Sequence, residues 1–152
     1  MYLDRLQTMR VTFEEICQGK EPWVALGDFM NDWLAYQVER RPDLVADPLP
    51  EGYPPAMHRW AVFCAASVEW FCATYHIPCP PWPASLAYTL AEPWFFHERE
   101  KVRQRLLTTT PEPFTCRNIF CGDRVFRNKY ELPAPILLLL VEREPDLVED
   151  VR

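Results

Sequence analysis

Glycine and serine are scarce in this sequence of 152 residues. Its four glycines are scattered, and neither a G-x-x-x-x-G-K-[ST] loop nor a G-x-G-x-x-G loop is present, so nucleotide binding through those loops is excluded. The serines, Ser67 and Ser85, lie in segments with a helical pattern and outside any G-x-S-x-G motif. The sequence therefore argues against a serine hydrolase.

Long apolar segments are also missing. Residues 56–75 are rich in apolar side chains but include His58, Arg59 and Glu69, and the run 136–141 is far shorter than the roughly 20 residues that a membrane-spanning helix needs. The first ten residues have no apolar signal-peptide core. We therefore expect a cytoplasmic protein whose six cysteines stay reduced, because disulfides are rare in that compartment.

Apolar and aromatic residues are abundant. Hydrophobic residues make up 49% of the chain and aromatic residues 14%, which is enough to fill the core of a domain of this size. Many of the 16 prolines fall in two stretches, 41–55 and 76–83. We predict one helical domain over residues 1–152, with proline-rich connectors at those two stretches and an acidic C-terminal end at 142–152.

Apolar residues at three- and four-residue steps predict several helices. The strongest pattern covers about 55–76, where apolar side chains occupy more than one face, as is typical of a central helix. Thr12 with Glu15 fits a capping box, so residues 2–18 form either one helix or two short helices. Gly27 suggests close packing of another backbone. Further helices are predicted at 2–18, 22–39, 84–90, 98–107 and 111–114.

The predicted fold is mainly α: an irregular helical bundle around the central helix. The apolar residues of 117–131 fit either a helix or short strands, and the run 136–141 fits a buried strand or the start of a final helix. A short strand pair within 117–141 is therefore one of the two interpretations of that region.

The sequence gives little support for a metal site or a catalytic site. His58, Glu69 and His76 share one side of the central helix, but the two histidines are roughly 27 Å apart along it, too far to share a metal ion. Cys116 and Cys121 supply only part of a four-ligand zinc site. We predict no metal, cofactor or catalytic residue. A small enzyme that uses Glu69 or a cysteine is kept as an alternative, against the interpretation that Glu69 faces solvent or pairs with an arginine.

Basic residues concentrate between positions 99 and 129, where eight stand against three acids: Arg99, Lys101, Arg103, Arg105, Arg117, Arg124, Arg127 and Lys129, against Glu100, Glu112 and Asp123. That segment carries +5, whereas the whole chain carries −6, so the remainder carries −11. The positive charge is thus confined to one part of a chain that is otherwise acidic.

Three interpretations of this basic segment are open: cations that are solvated or paired internally, a surface for an acidic partner protein, and a surface for nucleic acid, since arginines neutralise phosphates and aromatic rings stack on bases. The pI of about 5.1 favours a protein partner, because nucleic-acid-binding domains more often have a pI above about 9. The predicted partner-binding residues are Lys101, Arg105, Arg117, Asn118, Arg124 and Arg127.

Several short motifs lie in the second half of the chain: Glu92-Pro93-Trp94-Phe95, Arg105-Leu106-Leu107, Thr110-Pro111-Glu112-Pro113-Phe114 and Arg117-Asn118-Ile119-Phe120. Together with residues 23–29 and the central helix, which match more loosely, they resemble an uncharacterised family of short bacterial proteins. Members of that family are encoded beside nucleotidyltransferase-like proteins of the kind found in toxin–antitoxin loci. The resemblance implies an antitoxin-like partner role. Because these are packing motifs, it implies no catalytic residue.

Overall fold

The computed structural model describes residues 5–127, and helices predominate in that range, which confirms the mainly α-helical prediction. The chain consists of two compact units, and the boundary between them lies between Thr89 and Leu90 in the sequence. The predictions for the apolar run 136–141 and for the acidic end 142–152 lie outside the described residues. No helix within 5–127 combines the length and the apolar character needed to cross a bilayer.

The first unit contains four α-helices within its described residues: α1 (Met9–Cys17), α2 (Pro22–Asn31), α3 (Arg41–Ala46) and α4 (His58–Tyr75). A π-helical turn at Asp32–Tyr36 follows α2 directly. Short 3-10 turns complete the unit at Val38–Arg40, Pro55–Met57 and Trp82–Ala84.

Helix α4 is the centre of this unit, as its all-round apolar pattern predicts. Every residue from Ala61 to Val68 is buried, so the helix is enclosed on all sides along that stretch. Farther along, the Phe71 ring lies 5.3 Å from Phe29 and 5.2 Å from Trp33, measured between ring centroids. The helix ends at His76, which adopts a left-handed conformation with φ of 59°. His76 is thus the C-cap residue of α4.

The first two helices begin with side-chain caps. The Thr8 hydroxyl accepts a 3.0 Å hydrogen bond from the N–H of Val11, so α1 begins after Thr8. Thr12 lies inside the helix, where its hydroxyl donates to the Thr8 carbonyl at 2.8 Å. The capping box at Thr12 was therefore a wrong prediction. Pro22 occupies the start of α2, as predicted, and the Glu21 carboxylate accepts from Val24 N–H at 3.0 Å.

The predicted helix over 22–39 changes geometry at Asp32. Its carboxylate accepts a 2.9 Å hydrogen bond from the backbone N–H of Gln7. The backbone then widens, and the N–H of Gln37 donates to the Asp32 carbonyl at 2.7 Å, five residues back. Trp33 in this turn is fully buried, and Arg41 lies over its ring at 5.3 Å from the centroid. Arg41 begins α3, so the first part of the proline-rich range 41–55 is helical.

Gly27 does not mark a close approach. A Cβ atom placed there meets no heavy atom within 4 Å. The prediction that another backbone packs against Gly27 is therefore wrong. The glycine lies on a half-exposed part of α2 with open space around it.

The second unit contains α5 (Glu100–Thr109), α6 (Glu112–Thr115) and two short strands, β1 (Trp94–Phe95) and β2 (Ile119–Phe120), within its described residues. The strands are parallel, with Trp94 opposite Ile119 and Phe95 opposite Phe120. The partner of β2 thus lies upstream of the 117–141 range in which the strand pair was predicted. Parallel strands need a crossover connection, and α5 and α6 lie between these two.

The core of the second unit includes apolar residues from α5, α6 and β2. Val102 and Leu106 point inward from α5, as the periodicity predicts. Phe114 of α6 is fully buried, and its ring centroid lies 6.3 Å from that of Phe126. Ile119 of β2 is also fully buried. One face of α5 therefore packs against the core of the unit, and the rest of its surface is left for other contacts.

Candidate functional site

Helix α5 presents two of the predicted partner-binding residues together. Val102 and Leu106 form its buried side. Lys101 and Arg105 are exposed and stand four positions apart, a spacing that makes them neighbours on the helix surface. We call Lys101 and Arg105 the α5 basic face.

The cations of this face have no carboxylate partner within residues 5–127. Exposed or half-exposed cations of the first unit differ in this respect. Arg10 lies 3.8 Å from Glu14, and Arg40 lies 3.1 Å from Asp43. The described part of the chain therefore leaves the charge of the α5 basic face available.

Stability does not explain a lysine at position 101. It is the second residue of α5, where the positive end of the helix dipole disfavours a cation. Arg105, four positions later, adds like-charge repulsion that costs about 0.2–0.5 kcal/mol in isolated helices. Lys101 thus departs from the local stability rules, as residues at functional sites sometimes do.

Arg103 has a structural role on the other flank of α5. Its Nε donates a 2.8 Å hydrogen bond to the His97 carbonyl, and its guanidinium lies 4.8 Å from the centroid of the Phe95 ring. Phe95 also stacks on Phe120 at 4.7 Å between centroids. These contacts join α5 to both strands and hold the helix, and with it the basic face, in a fixed orientation.

Arg117 lies inside the second unit, contrary to the expectation that it contacts a partner. Its exposure is 5%, and its Nη1 donates a 2.7 Å hydrogen bond to the Pro113 carbonyl. The Cys116 sulfur lies 3.5 Å from the same nitrogen. The Pro113 carbonyl of α6 thus accepts one of the guanidinium N–H groups inside the unit. Arg117 is therefore corrected from a contact residue to a scaffold residue.

Asn118 is also used within the unit. Its backbone has φ of 71°, a conformation that asparagine tolerates better than most residues. Its side-chain Nδ2 donates to the Leu90 carbonyl at 3.0 Å, and its own carbonyl accepts from Trp94 N–H at 2.8 Å. Asn118 thus connects the turn after α6 to the segment that leads into β1. The asparagine preference for left-handed backbone is the sequence signal that indicates this role.

Arg124 and Arg127 lie in the loop after β2. Arg124 is half-buried, whereas Arg127 is exposed and forms no ion pair within the described range. The backbone N–H of Arg127 donates to the Arg124 carbonyl at 3.1 Å, which closes a turn. Lys129, the last cation of the basic segment, lies outside the described residues. Of the six predicted contact residues, Lys101, Arg105 and Arg127 are exposed.

The candidate nucleophilic cysteines are mostly unsuited to catalysis. All six are free thiols, and Cys64, Cys72 and Cys121 are buried. Burial raises the pKa of Cys72 to about 12 and raises the pKa of Cys64 and of Cys121 as well. Because the thiolate is the reactive form, these buried thiols are poor nucleophiles near neutral pH.

The candidate acid and metal ligands do not form a cluster. Glu69 is half-buried, so it is not the fully desolvated carboxylate that the enzyme alternative requires. Cys116 is exposed whereas Cys121 is buried. Among residues 5–127, no three side chains of His, Cys, Asp or Glu are arranged to hold a metal ion.

No family model matches the sequence, and no curated protein or solved structure matches it. The resemblance to the family of short bacterial proteins therefore stays a prediction.

Proposed function

We propose that this protein is a non-enzymatic interaction module whose α5 basic face binds an acidic surface of a partner protein. The observation that carries the proposal is Lys101: it is exposed, has no carboxylate partner within the described residues, and stands where the helix dipole and Arg105 both oppose it. A carboxylate on a partner relieves that repulsion.

The chemistry of the two side chains suits carboxylates. Arg105 offers a planar fork that binds a carboxylate through two hydrogen bonds, and Lys101 adds a compact positive charge one turn away. Complementary charge of this kind accelerates association and selects among partners more than it adds affinity. The bacterial-family resemblance extends the proposal to a specific partner class, a nucleotidyltransferase-like protein, with this chain in an antitoxin-like role.

A nucleic-acid-binding regulator is the second candidate, because the same cations attract phosphates. The aromatic rings of the basic segment speak against it. Phe114 and Phe126 are buried, and Phe120 already stacks on Phe95. Binding to single strands usually combines cations with free aromatic faces, so the geometry favours a protein partner.

Comparative affinity capture tests the proposal. The full chain, a charge-reversed variant (Lys101→Glu with Arg105→Glu) and a charge-conserving control (Lys101→Arg with Arg105→Lys) are used as bait in nuclease-treated lysate. We expect the first and third baits to retain the same stoichiometric protein and the second to lose it. Equal recovery by all three baits refutes the basic face as the contact. A companion that the parent bait recovers from untreated lysate but not from nuclease-treated lysate supports the nucleic-acid candidate instead.

A further inference from the structure

A groove of about 720 Å³ lies on the first unit, between the loop 48–53 and the segment 82–88. Its aromatic walls are Tyr53, Trp82 and Tyr88. The Trp82 and Tyr88 rings meet edge to face, with centroids 5.9 Å apart and an interplanar angle of 77°. Two perpendicular rings form a corner, which offers flat apolar surfaces in two directions.

These walls are fixed before any ligand arrives. The Trp82 Nε1 donates a 2.8 Å hydrogen bond to the carbonyl of Val45. Tyr53 packs against Phe13 at 5.1 Å between centroids, and its hydroxyl lies 2.9 Å from His58 Nδ1. Side chains held in this way lose little conformational entropy on binding, so the groove is preorganised.

Two of the polar groups that line the groove, the Glu51 carboxylate and the Tyr88 hydroxyl, are available to a ligand. Glu51 is exposed and has no cationic partner within residues 5–127. Arg10, in contrast, is already engaged by Glu14 and by the Pro48 carbonyl, which accepts from its Nη1 at 2.9 Å. The Tyr88 hydroxyl makes no hydrogen bond in the described part of the chain. Burial, together with Tyr53 and Glu51, raises the pKa of Tyr88, so the hydroxyl remains a donor.

We infer that this groove binds a proline-rich peptide with a basic side chain beside its prolines. Proline-rich segments adopt an extended helix without internal hydrogen bonds, and they dock into aromatic-lined grooves. Such a ligand presents flat pyrrolidine rings to the Trp82–Tyr88 corner and free carbonyl oxygens to the Tyr88 hydroxyl. Its basic side chain complements the charge of Glu51. The inference concerns the first unit and does not depend on the α5 basic face.

Fluorescence anisotropy with the full chain tests the inference. The probe is a fluorescein-labelled synthetic peptide with one arginine followed by alternating prolines and leucines, and the reference peptide has alanine at every proline. We expect saturable binding of the probe and weak binding of the reference. Tyr88→Ala is expected to weaken binding about tenfold, the size of a lost aromatic contact worth about 1.4 kcal/mol.

Two further variants keep the result interpretable. Glu51→Lys alters an exposed loop residue. We expect it to lower the affinity for the arginine-containing peptide about fivefold, and to have a smaller effect on the affinity for a probe that lacks the arginine. Leu86→Ala changes a side chain that is 93% exposed and does not line the groove, so its affinity should match that of the parent. If Tyr88→Ala fails to fold, Tyr88→Phe removes only the hydroxyl. Absence of saturable binding, equal affinity for the alanine peptide, or indifference to both Tyr88 and Glu51 variants overturns the inference.

Discussion

The Thr110 hydroxyl accepts a 2.7 Å hydrogen bond from the backbone N–H of Gly122, and this buried contact joins the end of α5 to the loop after β2. The same hydroxyl donates to the Leu106 carbonyl at 2.6 Å. Thr110→Val keeps the shape but leaves the buried Gly122 N–H without its partner, whereas the Leu106 carbonyl still accepts from the Thr110 backbone N–H. We expect the free energy of unfolding to fall by about 1–3 kcal/mol, measured by urea denaturation. Thr110→Ser retains the hydroxyl and should lose less; equal losses would contradict the hydrogen-bond explanation.

Gly27 and Gly122 should respond in opposite ways to alanine. Gly27 lies inside α2 with no atom within 4 Å of a Cβ position. Gly27→Ala therefore gains helix propensity without a clash, and we expect an increase of about 0.5–1 kcal/mol in the free energy of unfolding.

Gly122 has φ of 82°, and a Cβ there lies 3.1 Å from Leu106 Cδ2. Gly122→Ala should lower the free energy of unfolding by about 1–2 kcal/mol through backbone strain. Thermal and urea unfolding of Gly27→Ala and Gly122→Ala measure the sign of each change in the free energy of unfolding. A stabilised Gly122→Ala, or a destabilised Gly27→Ala, disagrees with the described packing.

The helices α4 and α5 were predictable because the spacing of their apolar residues indicates which sides of each helix are buried. The central helix needed only its all-round apolar pattern, and the inward positions Val102 and Leu106 follow from a four-residue step. The π-turn at Asp32–Tyr36 was not predictable. It accompanies a hydrogen bond from Gln7, which is distant in sequence and leaves no local pattern.

The candidate site was predicted only in part. Charge density located the basic segment, but it does not separate exposed from buried cations. Arg117 is buried and donates to the Pro113 carbonyl of the preceding helix α6, and such a backbone acceptor is invisible in composition. The helical periodicity, in contrast, identifies Lys101 and Arg105 as exposed, since each lies next to an inward position of α5.

The raised pKa values of the thiols predict an alkaline loss of stability. The pKa of Cys72 rises from the ordinary value of 9.0 to about 12 because burial disfavours the thiolate. In the unfolded chain the thiol loses its proton first, so its contribution to stability is complete below about pH 9 and disappears as the pH rises toward 12. Urea unfolding at about pH 8 and about pH 11 measures the change, and Cys72→Ala should reduce it. An unchanged pH dependence in Cys72→Ala would assign the loss to other groups.

The α5 basic face predicts that stability and binding move in opposite directions at Lys101. Lys101→Glu places an acid in the first turn of α5, four residues before Arg105. The new ion pair and the helix dipole should together raise the free energy of unfolding by about 0.5–1 kcal/mol. The same change lowers the net charge of the α5 basic face from +2 to zero, which removes its attraction for an acidic partner.

The central claim is tested most directly by titrating the captured partner, once purified, into the parent chain and into Lys101→Glu, with calorimetric detection at low and moderate salt. We predict that Lys101→Glu, although at least as stable as the parent, binds about tenfold more weakly at low salt, and that the difference shrinks as salt rises. Equal affinities at low salt would contradict the account.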